Sequence, residues 1–180
     1  MVRQILILFS SLCISTFSIA DSAIFTMDYS KPQGHRGTFG FGYYDFKEDK
    51  LGLYMNLSLA MRGSNHYESL GINSFGDPIQ NRYKESLTFN IGATKEVTKY
   101  IGIYAGIGFT SIDGIARKYD SSHILSSSGY YSVSDPANDS SGFNTNAGFI
   151  ITTSPVSFNL GYNSFTKTAY IGIGFKATGM

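Results

Sequence analysis

The chain has 180 residues, is rich in Gly (20), Tyr (13) and Phe (14), poor in Pro (4), and lacks Trp. Fourteen basic residues against 13 acidic ones give a formal charge of +1, which excludes a polybasic nucleic-acid binder or an acidic tail. Glycine and aromatic residues favour strands over helices, and a mean hydropathy close to zero excludes a helical membrane bundle while leaving a membrane β-barrel open.

The first element is an address. Arg3, the short apolar run ILILFSSLCISTF and the small residues Ser18-Ile19-Ala20 have the layout of a secretory signal peptide, with cleavage expected before Asp21. Residues 1–20 are thus expected to be removed, leaving 21–180 as one domain. Ser-Ser-Leu before Cys13 does not fit a lipoprotein signal, and Cys13 is the only cysteine. The exported chain therefore has no disulfide, thiol nucleophile or Cys metal site. Without Arg3 it carries 13 basic and 13 acidic residues and is formally neutral.

Beyond the leader the sequence alternates with a period of two, the signature of strands with two unlike faces. SAIFTMDYS (22–30) sets Ala23, Phe25, Met27 and Tyr29 against Thr26, Asp28 and Ser30. TFGFGYYDF (38–46) sets Phe39, Phe41 and Tyr43 against Gly40, Gly42 and Tyr44. LGLYMNLSLAMR (51–62) follows with Leu or Met at every odd position. SLTFNIGAT (86–94), YIGIYAGIGFTSI (100–112), GFNTNAGFIIT (142–152), VSFNLGYN (156–163) and AYIGIGFKA (169–177) repeat the texture. The series predicts about eight strands, the smallest usual number for a single-chain outer-membrane barrel.

The connections alternate in length. KEDK (47–50), KEVTK (95–99) and TTSP (152–155) are short, and the other rim carries GHRG (34–37), two long loops over 63–82 and 114–141, and NSFTKT (163–168). Short turns on one rim and longer loops on the other match periplasmic turns and extracellular loops. The fifth strand can run on through IDGIARKYD (112–120), projecting above a bilayer as a sheet edge for a partner strand or ending as a frayed loop.

The chemistry of the polar face decides which side is outward. A soluble barrel needs charge outside, yet these positions are Gly, Asn, Ser, Thr and Tyr, with Asp28, Arg62 and Lys176 as exceptions near strand ends. Small neutral polar residues suit a narrow lumen with room for Tyr44, Tyr54 and Tyr104, and the oily face then meets lipid, where a charge costs about 2–4 kcal/mol at the midplane. Tyr29, Tyr43 and Tyr162 suit the headgroup level. The predicted fold is an all-β, antiparallel, up-and-down transmembrane barrel of about eight strands. A soluble lipocalin-like carrier of an apolar ligand is the alternative, with the leucines turned inward.

Signal peptide, alternating strands, unequal rims and the closing YIGIGFKA resemble the small bacterial outer-membrane β-barrel proteins of the opacity and adhesion/invasion type. The resemblance covers most of 21–180 and is architectural. It implies a cell outer-membrane location, lipopolysaccharide as surroundings, and the barrel-assembly machinery as a partner during biogenesis. It also implies an assembly signal in the last strand, which Tyr170, Gly172 and Phe175 match in part. Phe175 is followed by KATGM, and Ala177 stands where a second large apolar residue is usual.

No catalytic, cofactor or metal residue is expected. His35, His66 and His123 fall in predicted extracellular loops without HxH or HExxH spacing. Some barrels of this size modify lipid A, which makes His35 beside Arg36, or His123 after Ser121-Ser122, the residues such an enzyme would recruit. Eight strands leave a lumen that side chains fill, which disfavours a general diffusion pore. The expected role is structural or in surface interaction, as a monomer with a host or phage partner and no nucleic acid. Tyr67, Phe75, Tyr119, Tyr130 and Tyr131 are the candidate contact residues, since Tyr supplies area with few rotatable bonds.

Overall fold

A computed structural model describes residues 22–60 and 66–178. The predicted leader (1–20) and its cleavage point, the strand end at Met61 and Arg62, and the final Gly179-Met180 lie outside the described residues. Among the described residues ten strands form one sheet: β1 (Ser22–Ser30), β2 (Thr38–Phe46), β3 (Leu51–Ala60), β4 (His66–Gly71), β5 (Ile79–Thr98), β6 (Ile101–Tyr119), β7 (Tyr130–Ser134), β8 (Ser140–Thr152), β9 (Val156–Asn163) and β10 (Thr168–Thr178).

Eight of them close a ring of antiparallel neighbours, β1-β2-β3-β5-β6-β8-β9-β10, with β10 returning to β1 in register from Ser22↔Thr178 to Ser30↔Tyr170. Closure leaves the ring no unpaired edge, the condition for a sheet to survive in lipid. These eight are the strands the alternation predicts. The turns 47–50, 99–100 and 153–155 share one rim with the ends of β1 and β10, as the predicted parity requires.

The apolar face points outward. Met27, Phe41, Leu51, Ile103, Ile107, Phe158, Ile171, Ile173 and Phe175 are exposed, while Tyr54, Asn56, Asn90, Tyr104, Asn144, Asn146 and Asn159 are buried inside. An exterior of branched and aromatic side chains is the opposite of a soluble carrier, so the inward-leucine alternative is overturned. Tyr29 lies against Phe39, ring centroids 5.3 Å apart, and Tyr162 is exposed on the same face. Tyr43 packs with Ala23, Met55 and Phe25.

The two long connections are not plain loops. Above the ring β5 and β6 continue as a ladder, β7 pairs with Ile115–Tyr119 of β6, and β4 adds in parallel to β7. The stretch Asp113–Tyr119 alone adds about 24 Å of strand, at roughly 3.4 Å per residue. The expected continuation through 112–120 is thus real as far as Tyr119, but its edge is filled by β7 of the same chain rather than left for a partner. YYSV and HYESLG form strands because Tyr67, Tyr131 and Val133 share a small core with Ala116, Leu70, Ile72 and Leu125.

The far edge of β5 is also closed. His35 bridges to Lys84, with Arg36 N donating to Lys84 O at 2.9 Å and Lys84 N to Gly34 O at 3.1 Å. Further along, the Arg82 N–H donates to the side-chain oxygen of Asn81 at 2.8 Å. Covering edge donors in this way discourages strand-on-strand aggregation.

Candidate functional site

Two regions concentrate polar chemistry: the lumen, and the sheet platform formed by β4, β7 and the upper parts of β5 and β6. Within the ring, alternation turns the even residues of β5 from Ser86 to Thr94 and of β6 from Gly102 to Ile112 into the lumen, where a ring of amides and phenols meets. Asp28 stands among them rather than at a frayed strand end. Its carboxylate accepts from Asn159 Nδ2 (2.8 Å), Asn56 Nδ2 (2.9 Å) and Thr26 Oγ1 (3.1 Å). Gly172 lies beneath it on β10, where a Cβ would run into Asp28 Oδ1.

Asn159 passes the network on. Its Nδ2 also donates to the Tyr44 hydroxyl at 3.0 Å, and its Oδ1 lies 2.8 Å from the Tyr104 hydroxyl. Tyr104 in turn lies 2.9 Å from the Tyr170 hydroxyl, which accepts from Asn146 Nδ2. Tyr54 donates to Asn146 Oδ1, and Asn144 Nδ2 donates to Asn90 Oδ1 at 3.1 Å.

The rings of Tyr44, Tyr54 and Tyr104 close the lumen with centroids 4.9–5.6 Å apart, alongside Ile24, Phe46, Ile150 and Tyr170. Cavities of ≈ 10 Å³ toward the turn rim and ≈ 20 Å³ toward the platform remain, each room for about one water. Lys176 and Glu96 line the first. Such a filled interior is the eight-strand expectation.

The platform is held by side chains that the sequence spreads from Arg36 to Asp135. Tyr131 is buried, its hydroxyl donating to Asp77 Oδ2 at 2.7 Å; burial and then Asp77 push this phenol above its usual range. Lys118, its ladder partner, donates from Nζ to Ile72 O at 3.0 Å. Tyr67 is half-buried, packs edge-on to Tyr131 and donates to Leu125 O at 2.5 Å. Arg82 meets Asp135 at 3.1 Å, and Arg36 lies over the Tyr83 ring at 4.2 Å while reaching Glu85 at 3.7 Å.

The predicted contact residues therefore divide. Tyr67 and Tyr131 build the platform from within, whereas Phe75 and Tyr130 reach solvent and Tyr119 is half-buried against Tyr130 and His123. Composition alone did not reveal Asp120, which organises the 120–129 turn. Its carboxylate accepts from the Ser122, Ile124 and Leu125 N–H groups at 2.8, 2.7 and 3.1 Å and from the Ser122 hydroxyl at 2.5 Å. An Asp directly after a strand, ahead of serines, is the available cue.

The Ser122 hydroxyl, then the backbone donors, hold the Asp120 carboxyl down at about 2. The folded value lies below the ordinary 3.8, so this stabilisation of the turn is complete above about pH 4 and is lost as pH falls through about 2. Amide exchange at Ile124 and Leu125 is expected to show protection at pH 5 that collapses near pH 2. Asp120→Ala is expected to remove that protection at pH 5; protection at pH 5 that persists in the variant contradicts the assignment.

Of the residues expected to match an assembly signal, Phe175 faces outward, whereas Tyr170 and Gly172 face the lumen. Among the described residues no group of three or more His, Cys, Asp or Glu could hold a metal ion. The Ser122 hydroxyl donates to Asp120, and His123 Nδ1 contacts Ser127 O at 3.1 Å, so Ser122 and His123 do not form a nucleophile–base pair. His35 is half-buried beside Lys84; burial and then that charge lower its pKa.

A closed eight-stranded ring with an apolar exterior and a filled polar lumen defines a small transmembrane β-barrel. No family model and no curated protein matches the chain. Among solved structures it is similar to the crystal structure of Ail, the attachment invasion locus protein of Yersinia pestis. The TM-score is 0.51 at 12% identity, covering 87% of this chain and 95% of that one. The backbone structure of Ail in a phospholipid bilayer nanodisc gives 0.50 at 15% identity, over 87% and 99%. At these identities the likeness shows the fold.

Proposed function

We propose that this chain is an outer-membrane protein whose work is done by the platform, as a surface-interaction protein of adhesion-like kind. The observation that carries the reading is a sheet with its own core standing above a lumen that side chains close. Transport gives no reason to build that sheet, and catalysis has no assembled base and nucleophile around the turn that holds His123. In this reading the platform rim is extracellular, the turn rim periplasmic, the barrel a monomer in lipopolysaccharide, and Phe75, Tyr119 and Tyr130 the contact side chains. Assembly would read the last strand, where Phe175 is the outward aromatic.

Isolated outer membranes test the location, comparing boiled and unboiled samples by gel mobility, with protease added to intact cells. Heat-modifiable migration and cleavage within 120–129 are expected. A protein that is soluble in the periplasm without a mobility shift contradicts the reading.

A further inference from the structure

The β5 side of the platform is closed by one short contact. Within the ring β5 pairs with β3 as far as Leu59↔Leu87. Above that rung, among the described residues, only Gly34–Arg36 of the loop between β1 and β2 pairs with it, as an isolated parallel bridge between His35 and Lys84. Two backbone bonds make this clasp: Arg36 N donates to Lys84 O at 2.9 Å, and Lys84 N to Gly34 O at 3.1 Å. Alternation turns the backbone groups of Tyr83 and Glu85 the other way, toward β6.

Paired residues of a bridge carry their side chains on one face, which sets the His35 imidazole beside the Lys84 ammonium. Nδ1 of His35 is buried and has no hydrogen-bond partner among the described residues. Glu85 offers it no counter-charge. That carboxylate belongs to the opposite face, where Arg36 reaches it at 3.7 Å while lying over the Tyr83 ring at 4.2 Å. On the face of Lys84, the next residues along β5 are Arg82, which meets Asp135 at 3.1 Å, and the neutral Ser86. At the stems of the loop Ser30 and Thr38 meet through their hydroxyls at 2.6 Å, and Lys31 is exposed. A neutral imidazole suits these surroundings. An imidazolium adds a second positive charge beside Lys84 and a buried N–H without an acceptor.

We propose that His35 is a pH-sensitive latch: protonation of its imidazole releases Gly34–Arg36 from Lys84 and opens the edge of β5. The latch goes beyond the surface-interaction reading and holds whatever the platform contacts. Burial, then Lys84, keep the imidazole below its usual 6.5. The open form therefore takes the proton more readily than the clasped one. The clasp is complete above about pH 6.5 and weakens as the pH falls beneath that value. Only two hydrogen bonds oppose release, whereas continuous ladders hold the ring below. The released edge presents Lys84 N and O to a pairing strand, the surface that a closed edge withholds.

The test uses the full protein folded in nanodiscs, with amide exchange of Arg36 and Lys84 measured at pH 7.5 and pH 5 and corrected for intrinsic rates. Protection of both amides is expected to fall by about tenfold or more between the two, while Tyr83 and Glu85 stay protected. The His35 ring, followed by NMR in the same samples, is expected to titrate below 6.5. His35→Gln is expected to keep its protection at both pH values. Lys84→Met, which removes the neighbouring charge, is expected to show a smaller loss than wild type.

Wild-type protection that is equal at the two pH values overturns the proposal. So does a His35→Gln variant that loses as much as wild type at pH 5, or a wild-type ring that titrates at or above 6.5. If the glutamine variant is open at both values, Lys84→Met decides, and an undiminished loss at pH 5 then overturns the latch.

Discussion

Asp28→Ala is expected to lower the stability of the folded barrel by about 2–4 kcal/mol, as two buried amide donors and a hydroxyl lose their acceptor at once. The loss is offset in part because a buried charge disappears with them. The location of the partners makes the effect large. Asn56 belongs to β3 and Asn159 to β9, so one carboxylate on β1 ties together strands on both sides of the seam where β1 meets β10. That seam closes the ring, and its register joins the most distant parts of the chain. Asp28→Asn keeps an acceptor for Thr26 and Asn56 and turns an amide toward Asn159, so about 1 kcal/mol is expected. Urea unfolding in micelles, with the midpoint of heat modification as a second reading, measures both. An alanine variant within about 0.5 kcal/mol of the parent shows that the carboxylate does not hold the seam.

The eight ring strands were legible because lipid and lumen impose different chemistry on alternate residues, and a period of two survives any error in strand ends. The platform was not legible. HYESLG and YYSVS are six and five residues long, too short for alternation to stand out against the Ser and Gly around them. Their strand character comes from pairing with the extended β6, a tertiary cause. Asp28 illustrates a second limit. Its place on the polar face could be read from sequence, but its role depends on register, which brings Asn56 and Asn159 to it from residues far along the chain. Tyr131 shows the same in reverse: composition makes it a surface tyrosine, and packing with Ala116, Val133 and Tyr67 makes it core.

Tyr54→Ala/Tyr104→Ala is expected to turn the closed barrel into a conducting one. Tyr54 lies flat over Gly92 and Gly106, where a Cβ at either position would come within 2.5–2.6 Å of its ring or hydroxyl, so the wall is thinned to seat this ring. Tyr104 fills the opposite side, its hydroxyl between Asn159 and Tyr170. Removing both rings opens space between the two small cavities, beside the remaining Tyr44 and Tyr170 and the amides of Asn146 and Asn159, which water wets readily. Each truncation costs about 3–5 kcal/mol by the behaviour of buried aromatic residues, but every backbone group of the ring stays paired, so closure in lipid is preserved. Planar-bilayer recordings are expected to show no current steps for wild type and discrete steps for the double variant. Tyr104→Phe, which removes only a hydroxyl, is expected to stay silent while losing about 1 kcal/mol of stability. A folded, heat-modifiable double variant without current means that other side chains seal the lumen. Current through wild type means that the phenol plug opens on its own, and the barrel is then a channel as well as a scaffold for its platform.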